Sequence, residues 1–158
     1  MLSVDLNNAF CIQTKYLPMM CDQFLRLNGL RVLVVDNNSD CRDLLRMVFE
    51  DYGIETIAAT CVSEALEILK QVKPDVLISE IALPNEDGFS LMHKVKAIEV
   101  AEQVEIPAIA LTTYDTKYDR AYARLVGFCK HLSKPVNFDE LITTVANVTK
   151  QIQLVGAA

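Results

Sequence analysis

The 158-residue chain contains no apolar run approaching the roughly 18 residues that a membrane-spanning helix needs, so no bilayer crossing is expected. Its opening, MLSVDLNNAF, carries an acid where a secretory leader carries positive charge, and no apolar stretch of leader type follows; a cytoplasmic location is expected. Basic side chains are scarce: 15 Lys and Arg stand against 21 Asp and Glu, for a net charge of −6. A direct nucleic-acid partner is therefore not expected, because displacing counterions from phosphates takes clustered cations. The five cysteines (Cys11, Cys21, Cys41, Cys61 and Cys129) are odd in number and widely spaced, with no CxxC. That pattern excludes a disulfide framework and a zinc knuckle. Cys41, Cys61 and Cys129 read instead as small buried hydrophobes. Internal repeats and low-complexity tracts are missing too.

What is present is an apolar fraction of 51%, sufficient for a packed core, in a length that fits one domain and a modest extension. From Leu30 onward, short apolar runs alternate with longer amphipathic ones. Arg31 to Val35 is a β-branched run, apolar on both faces as a buried parallel strand requires. Ser39 and Asp40 offer a helix N-cap before Leu44, Leu45, Val48 and Phe49 at helical spacing, and Gly53 ends that element. Ile54–Thr60 is predicted as a strand, Val62–Val72 as a helix stopped before Pro74, and Val76–Ile78 as a third strand. Pro84, Asn85 and Gly88 mark a loop. A helix over Phe89–Glu99, a strand over Ile106–Leu111, a helix over Tyr118–Leu125 and a short strand over Phe128–Leu132 follow. Asn137 and Glu140 resemble a capping box for a last helix with the stripe Leu141, Ile142, Val145, Val148.

Five strand–helix alternations imply an α/β domain with a parallel sheet covered on both faces. Residues 30–151 form this unit, 152–158 a tail, and 1–29 an extension. In the extension Leu17, Met20, Cys21, Phe24 and Leu25 recur at helical spacing before Asn28-Gly29. That apolar stripe favours docking or an oligomer contact over disorder.

Open α/β sheets gather their chemistry at the carboxyl ends of the strands. Standing there are Asp36, Asn37, Glu80, Thr112, Thr113 and Lys134. Two carboxylates, hydroxyls and an amine would converge from four strands far apart in sequence. Other polar residues have plainer readings. Asp40 is a cap or first-turn acid, Glu86 and Asp87 are solvated, His93 is on the surface, and Tyr114, Tyr118 and Tyr122 form one helix stripe.

The blocks VLVVDNNSDCR, LISEIALPNEDG, IPAIALTTYD and LSKP, in that order, resemble the signature blocks of bacterial response-regulator receiver domains. The resemblance spans residues 30–151 and includes Lys134-Pro135, a pair whose peptide is usually cis in that family. It implies a flavodoxin-like, doubly wound five-stranded parallel sheet of strand order 2-1-3-4-5 with five helices. In such domains two acids after the first strand and an aspartate after the third hold Mg²⁺. That aspartate takes a phosphoryl group from a histidine kinase or a small donor, and a Ser or Thr and a Lys then bond the phosphoryl oxygens. On this resemblance Asp36 is the first acid, Thr112 the hydroxyl and Lys134 the lysine.

The departures carry the functional expectation. Asn37 replaces the second acid, Glu80 the phosphoacceptor, Thr113 a usually small residue and His131 the usual aromatic switch, its ring filling the switch pocket. A neutral amide at Asn37 weakens Mg²⁺ binding, which would fall to Asp36, Glu80 and Ala82; no other cofactor is expected. The extra methylene of Glu80 pushes its carboxylate into the space of a phosphoryl group, against the tight positioning that transfer needs. Asp36 and Glu80 face Lys134 with a formal residual of −1, and a Glu80–Lys134 ion pair would close the pocket. Glu80 then either imitates the phosphorylated state through Lys134 and Thr112, or, as a poorer acceptor than a phosphoryl group, leaves the inactive state.

The expected function is thus a non-catalytic pseudo-receiver acting through a protein partner, a histidine kinase or a downstream protein. With no effector expected after residue 151, output is expected to pass through contact, by way of residues 118–150, the surface such domains often use to form homodimers. A working phosphoacceptor and a small-molecule sensor are the competing readings. FMN binding is disfavoured because the loop after the first strand carries acids where a phosphate loop is needed.

Overall fold

The computed structural model describes residues 27–156, with side chains described for 27–149. The stripe from Leu17 to Leu25 lies outside the described residues. The elements in chain order are β1 (Arg31–Val35), α1 (Ser39–Glu50), β2 (Glu55–Ala59), α2 (Val62–Gln71), β3 (Val76–Ser79), α3 (Gly88–Glu102), β4 (Ala108–Thr112), α4 (Lys117–Val126), β5 (Lys130–Ser133) and α5 (Phe138–Gly156). All strand pairs are parallel, in the order β2-β1-β3-β4-β5. The expected fold is the one observed.

Continuous apolar runs form the central strands because both faces are covered, and a period of two sends alternate side chains to opposite layers. Leu33, Val35, Leu77, Ala108 and Ala110 pack with α2, α3 and α4 through Ala65, Leu69, Leu91, Val95 and Ala123. Val32, Val34, Ile78, Ile109 and Leu111 pack with α1 and α5 through Leu45, Phe49, Leu141 and Val145, and Leu27 joins this second layer.

Several boundaries differ from expectation. Asn38, one residue earlier than predicted, caps α1 by accepting from Cys41 N at 3.1 Å; Ser39 and Asp40 are already helical. Asp87 is not merely solvated but caps α3 through Ser90 N, and Glu86 accepts from Ser90 Oγ and Lys94 Nζ. The full capping box belongs to α4, between Thr116 and Asp119. At α5, Asn137 accepts from Glu140 N at 3.0 Å. α5 runs on to Gly156, past the boundary expected at residue 151. Tyr114 precedes α4, so the aromatic stripe is Tyr118 on Tyr122, stacked at 6.2 Å. Cys129 is exposed and Cys41 and Cys61 are half-buried, which corrects their reading as buried hydrophobes. Cys129 directly precedes the edge strand β5, where only one neighbouring strand supplies cover.

Candidate functional site

The order reverses between β1 and β3, and at this switch point the chain places its polar residues. Val35 of β1 is level with Ser79 of β3, Ser79 with Ala110 of β4, and Thr112 with Ser133 of β5. One step beyond the strands come Asp36, Glu80 and Lys134. Each is pinned by its own backbone amide continuing the ladder: Asp36 N donates to Ala59 O (3.0 Å), Glu80 N to Val35 O (2.8 Å) and Lys134 N to Thr112 O (2.9 Å). The Lys134-Pro135 peptide is cis.

Lys134 Nζ lies 2.7 Å from Asp36 Oδ2 and 2.7 Å from Glu80 Oε2. The acids are buried, with side chains only 4% and 6% exposed. The other oxygens are also engaged. Asp36 Oδ1 accepts from Asn38 N at 2.9 Å, while Glu80 Oε1 accepts from Ile81 N at 2.7 Å and Ala82 N at 3.1 Å. Burial pushes the Glu80 carboxyl up, but Lys134, the Thr112 hydroxyl and the Ala82 amide outweigh it and hold the group below the ordinary carboxylate range. Burial likewise pushes the Lys134 ammonium down, and the hydrogen bonds to Asp36 and Glu80 reverse this, raising it well above an ordinary lysine. The site is a three-membered ion cluster of formal charge −1, satisfied from within.

Glu80 therefore does not simply project outward as expected. One oxygen turns back onto two successive amides and the other meets the lysine. Gly88 permits this close loop: a Cβ there would sit 2.5 Å from Glu80 O and 2.9 Å from Ile81 Cα. Thr112 is fully buried, and its Oγ1 accepts from Tyr114 N at 3.1 Å. His131, with a side chain only 8% exposed, bonds Tyr114 O through Nε2 at 2.8 Å and brings Nδ1 to 3.8 Å from Asp115 Oδ1. Arg120 and Ser133 hold Asp115 down to about 2. Asn37 and Thr113 are exposed, so neither joins the buried cluster.

The expected Mg²⁺ donors do not fit the ion in this arrangement. Mg²⁺ requires near-octahedral oxygen donors. Here an ammonium lies between the two carboxylates, 2.7 Å from each, and Asn37 is exposed. Among the described residues no group of three or more His, Cys, Asp or Glu is placed to hold a metal. Metal ligation by Asp36, Glu80 and Ala82 would require Lys134 to leave its place between the two acids.

Sequence reasoning missed the amides of Ile81 and Ala82, the Asn38 cap and the hydrogen bond between His131 Nε2 and Tyr114 O. Asn38 had a local signal, as one of three adjacent cap-competent residues. The backbone contacts had none.

Residues 32–146 match the family model of the response regulator receiver domain. The chain belongs to that family. It is 43% identical over 119 residues to an uncharacterized 14.6 kDa protein in the sodA1 3′ region of Leptolyngbya boryana, covering 75% of this chain and 89% of that one. It is 31% identical to the response regulator SaeR of Staphylococcus epidermidis, over 74% of this chain but only 49% of SaeR. Among solved structures, the chemotaxis response regulator CheY4 of Vibrio cholerae superposes with a TM-score of 0.69 at 28% identity, over 75% of this chain and 98% of CheY4. This is a receiver domain of two-component signalling, a signalling module of a kind that interacts with histidine kinases and effectors. No helix among the described residues is long and apolar enough to cross a membrane.

Proposed function

We propose that this receiver domain, residues 30–151, signals through protein contact without taking phosphate on residue 80. The observation that carries the reading is the position of Lys134 Nζ, 2.7 Å from both carboxylates. In-line phosphoryl transfer needs a nucleophilic oxygen with a free, aligned lone pair and a cation to neutralise the incoming phosphate. Glu80 Oε1 already carries two amide hydrogen bonds, and Oε2 carries the ammonium. The lysine that would receive phosphoryl oxygens is spent on the protein's own acids.

Glu80 takes over contacts that a phosphoryl group would make, with Lys134 and Thr112, and so holds the domain in one signalling state. The partner is a protein, a kinase or a downstream component, met in the cytoplasm through residues 118–150, where Tyr118 and Leu125 are exposed. A homodimer through the same face fits this surface.

Incubation with a small phosphodonor and Mg²⁺, followed by intact mass, tests the reading. The mass should not change. A stoichiometric gain of one phosphoryl group would overturn it.

A further inference from the structure

Charge is unevenly spread over this chain of net charge −6. Unlike the apolar cavity between α1 and α5, to which the stem of Lys134 contributes, a cavity of about 220 Å³ between α4 and β5 is walled by cations. Arg120 and Arg124 come from α4 and Lys130 from β5, with the His131 ring and the buried Phe128 completing the wall. These cations differ in what they already hold. Arg120 is engaged, its Nε 2.5 Å from Asp115 Oδ1 and its Nη2 3.3 Å from Ser133 Oγ. Arg124 and Lys130 are exposed, and among the described residues neither has an acid within ion-pair distance. Lys117, Arg120 and Arg124 stand at i, i+3 and i+7, so the basic wall continues along one side of α4. On the adjoining side, two turns apart, Tyr118 is 75% exposed and Leu125 80%. Since β5 is the edge strand of the sheet, no further strand covers this wall.

We propose that this cavity receives an acidic segment of the partner protein, with carboxylates on Arg124 and Lys130 and an apolar side chain against Leu125 and Tyr118. The inference deepens the reading of residues 118–150 as a contact surface and rests on it. Two cations that line one cavity repel each other, and with no acid of the described chain in reach, an anion from outside relieves them. Exposed charges of this kind contribute little to folding, whereas complementary charge across an interface steers association and selects the partner. A nucleic acid fits less well. The excess of acids over the rest of the chain repels a phosphate backbone beyond the patch, and the exposed Leu125 and Tyr118 match a protein contact. A two-fold contact centred on the cavity would bring the same cations of both copies together, so the acids come from a different chain. The inner wall is His131, whose Nε2 bonds Tyr114 O at 2.8 Å, while Tyr114 N donates to Thr112 Oγ1. A segment seated here thus lies beside the contacts that lead back to Glu80.

The full chain is titrated into a short fluorescein-labelled peptide in which Asp and Glu flank a single Leu, and anisotropy is read at low and at physiological salt. The peptide binds, more tightly as salt falls, and its counterpart built from Asn and Gln does not. Arg124→Glu and Lys130→Glu each weaken binding about fivefold, since each removes an exposed ion pair and installs a repulsion, and together about twentyfold. Lys70→Glu, the same change of net charge on α2, leaves the affinity within about twofold. All three positions are exposed, and an unchanged thermal midpoint certifies the fold. Where a reversal lowers the midpoint, Arg124→Gln and Lys130→Gln take its place, with about twofold loss each. No binding of the acidic peptide overturns the proposal, as does equal affinity for the neutral one or an equal loss with Lys70→Glu. A DNA duplex that binds more tightly than the peptide, and is lost on the same reversals, would assign the patch to nucleic acid and overturns it too. Self-association abolished by those reversals would assign the patch to a second copy, with the same consequence. The intact-mass measurement at residue 80 reads neither Arg124 nor Lys130, so either result can fail without the other.

Discussion

Replacing Lys134 by Met removes one positive charge and keeps the apolar stem that lines the α1–α5 cavity. The cluster passes from −1 to −2, with Asp36 and Glu80 still buried. Breaking a buried ion pair by deleting one partner costs about 3–5 kcal/mol. Here Asp36 Oδ1 keeps the Asn38 amide and Glu80 Oε1 keeps the amides of Ile81 and Ala82, which places the loss near the lower bound, about 3 kcal/mol. With a urea dependence of about 1.5 kcal/mol per molar, the unfolding midpoint should fall by about 2 M. The pH dependence has a definite sign. In the native chain the Glu80 pKa is depressed, so its stabilising contribution is present above the unfolded value of 4.5 and lost as pH falls through the folded value. The Lys134 pKa is raised, so its contribution is complete everywhere below the ordinary value of 10.5. Without the ammonium, burial dominates Glu80 and its pKa rises above 4.5, so acid now relieves the variant. The destabilisation should be largest near about pH 7.5 and shrink toward about pH 5. Urea titrations of both chains at the two pH values decide the matter. Equal midpoints, or a gap that does not change with pH, would refute the internal ion cluster.

Three further outcomes are expected. Asn37→Asp adds a third acid beside the cluster and should destabilise the metal-free chain by about 1 kcal/mol, the position being exposed and screened. Millimolar Mg²⁺ should restore that variant in a thermal scan, since metal at twenty times its dissociation constant adds about 1.8 kcal/mol. The native chain should not respond, and a native shift of many degrees contradicts the donor argument. Gly88→Ala drives a Cβ into the Glu80 carbonyl and should cost about 1–3 kcal/mol in chemical denaturation, with an unchanged midpoint as the refuting result. Arg120→Ala should return Asp115 from about 2 toward its ordinary 3.8, followed by NMR titration of the carboxyl carbon. The contribution of that exposed pair is present above 3.8 and lost as pH falls through about 2, and an unmoved titration would refute the assigned cause.

The strands were legible because their signal is redundant. Val32 to Val35 are apolar on both faces, and that pattern arises only between two covering layers. Asp36 was legible as a site position for the same reason, as the first polar residue after such a run, whereas Glu80 and Lys134 follow Ser79 and Ser133 and were legible from the blocks LISEIALPNEDG and LSKP. What escaped sequence reading was decided by contacts between backbone and side chain. Asn38, Ser39 and Asp40 are all cap-competent, and the choice falls to Asn38 because its amide is held by Asp36 Oδ1, which sets the turn one residue earlier. The length of Glu80 was visible and its direction was not, because the free amides of Ile81 and Ala82 exist only once the loop closes over Gly88. Tyr114 matched the spacing of Tyr118 and Tyr122 but falls before Thr116, the residue that caps α4.

The departures at positions 37 and 80 make sense together on electrostatic grounds. A lysine can neutralise one buried acid fully and share itself between two, but a third carboxylate in the same low-dielectric pocket would call for a cation of higher charge. With an amide at Asn37 the count stops at two, and Lys134 alone reaches both at 2.7 Å. The extra methylene at Glu80 then has a structural use. It lets a single carboxylate accept from Ile81 N and Ala82 N on one oxygen while presenting the other to Lys134. Thr112, which bears on Glu80, also receives the Tyr114 amide; the Tyr114 carbonyl meets His131, and His131 stands beside Asp115. Any event that moved Glu80 would therefore bear on Thr112 and, through the Tyr114 backbone, on His131 at the α4–β5 face. That chain of contacts gives the proposed signalling state a physical basis, with the ion cluster at one end and His131 at the other.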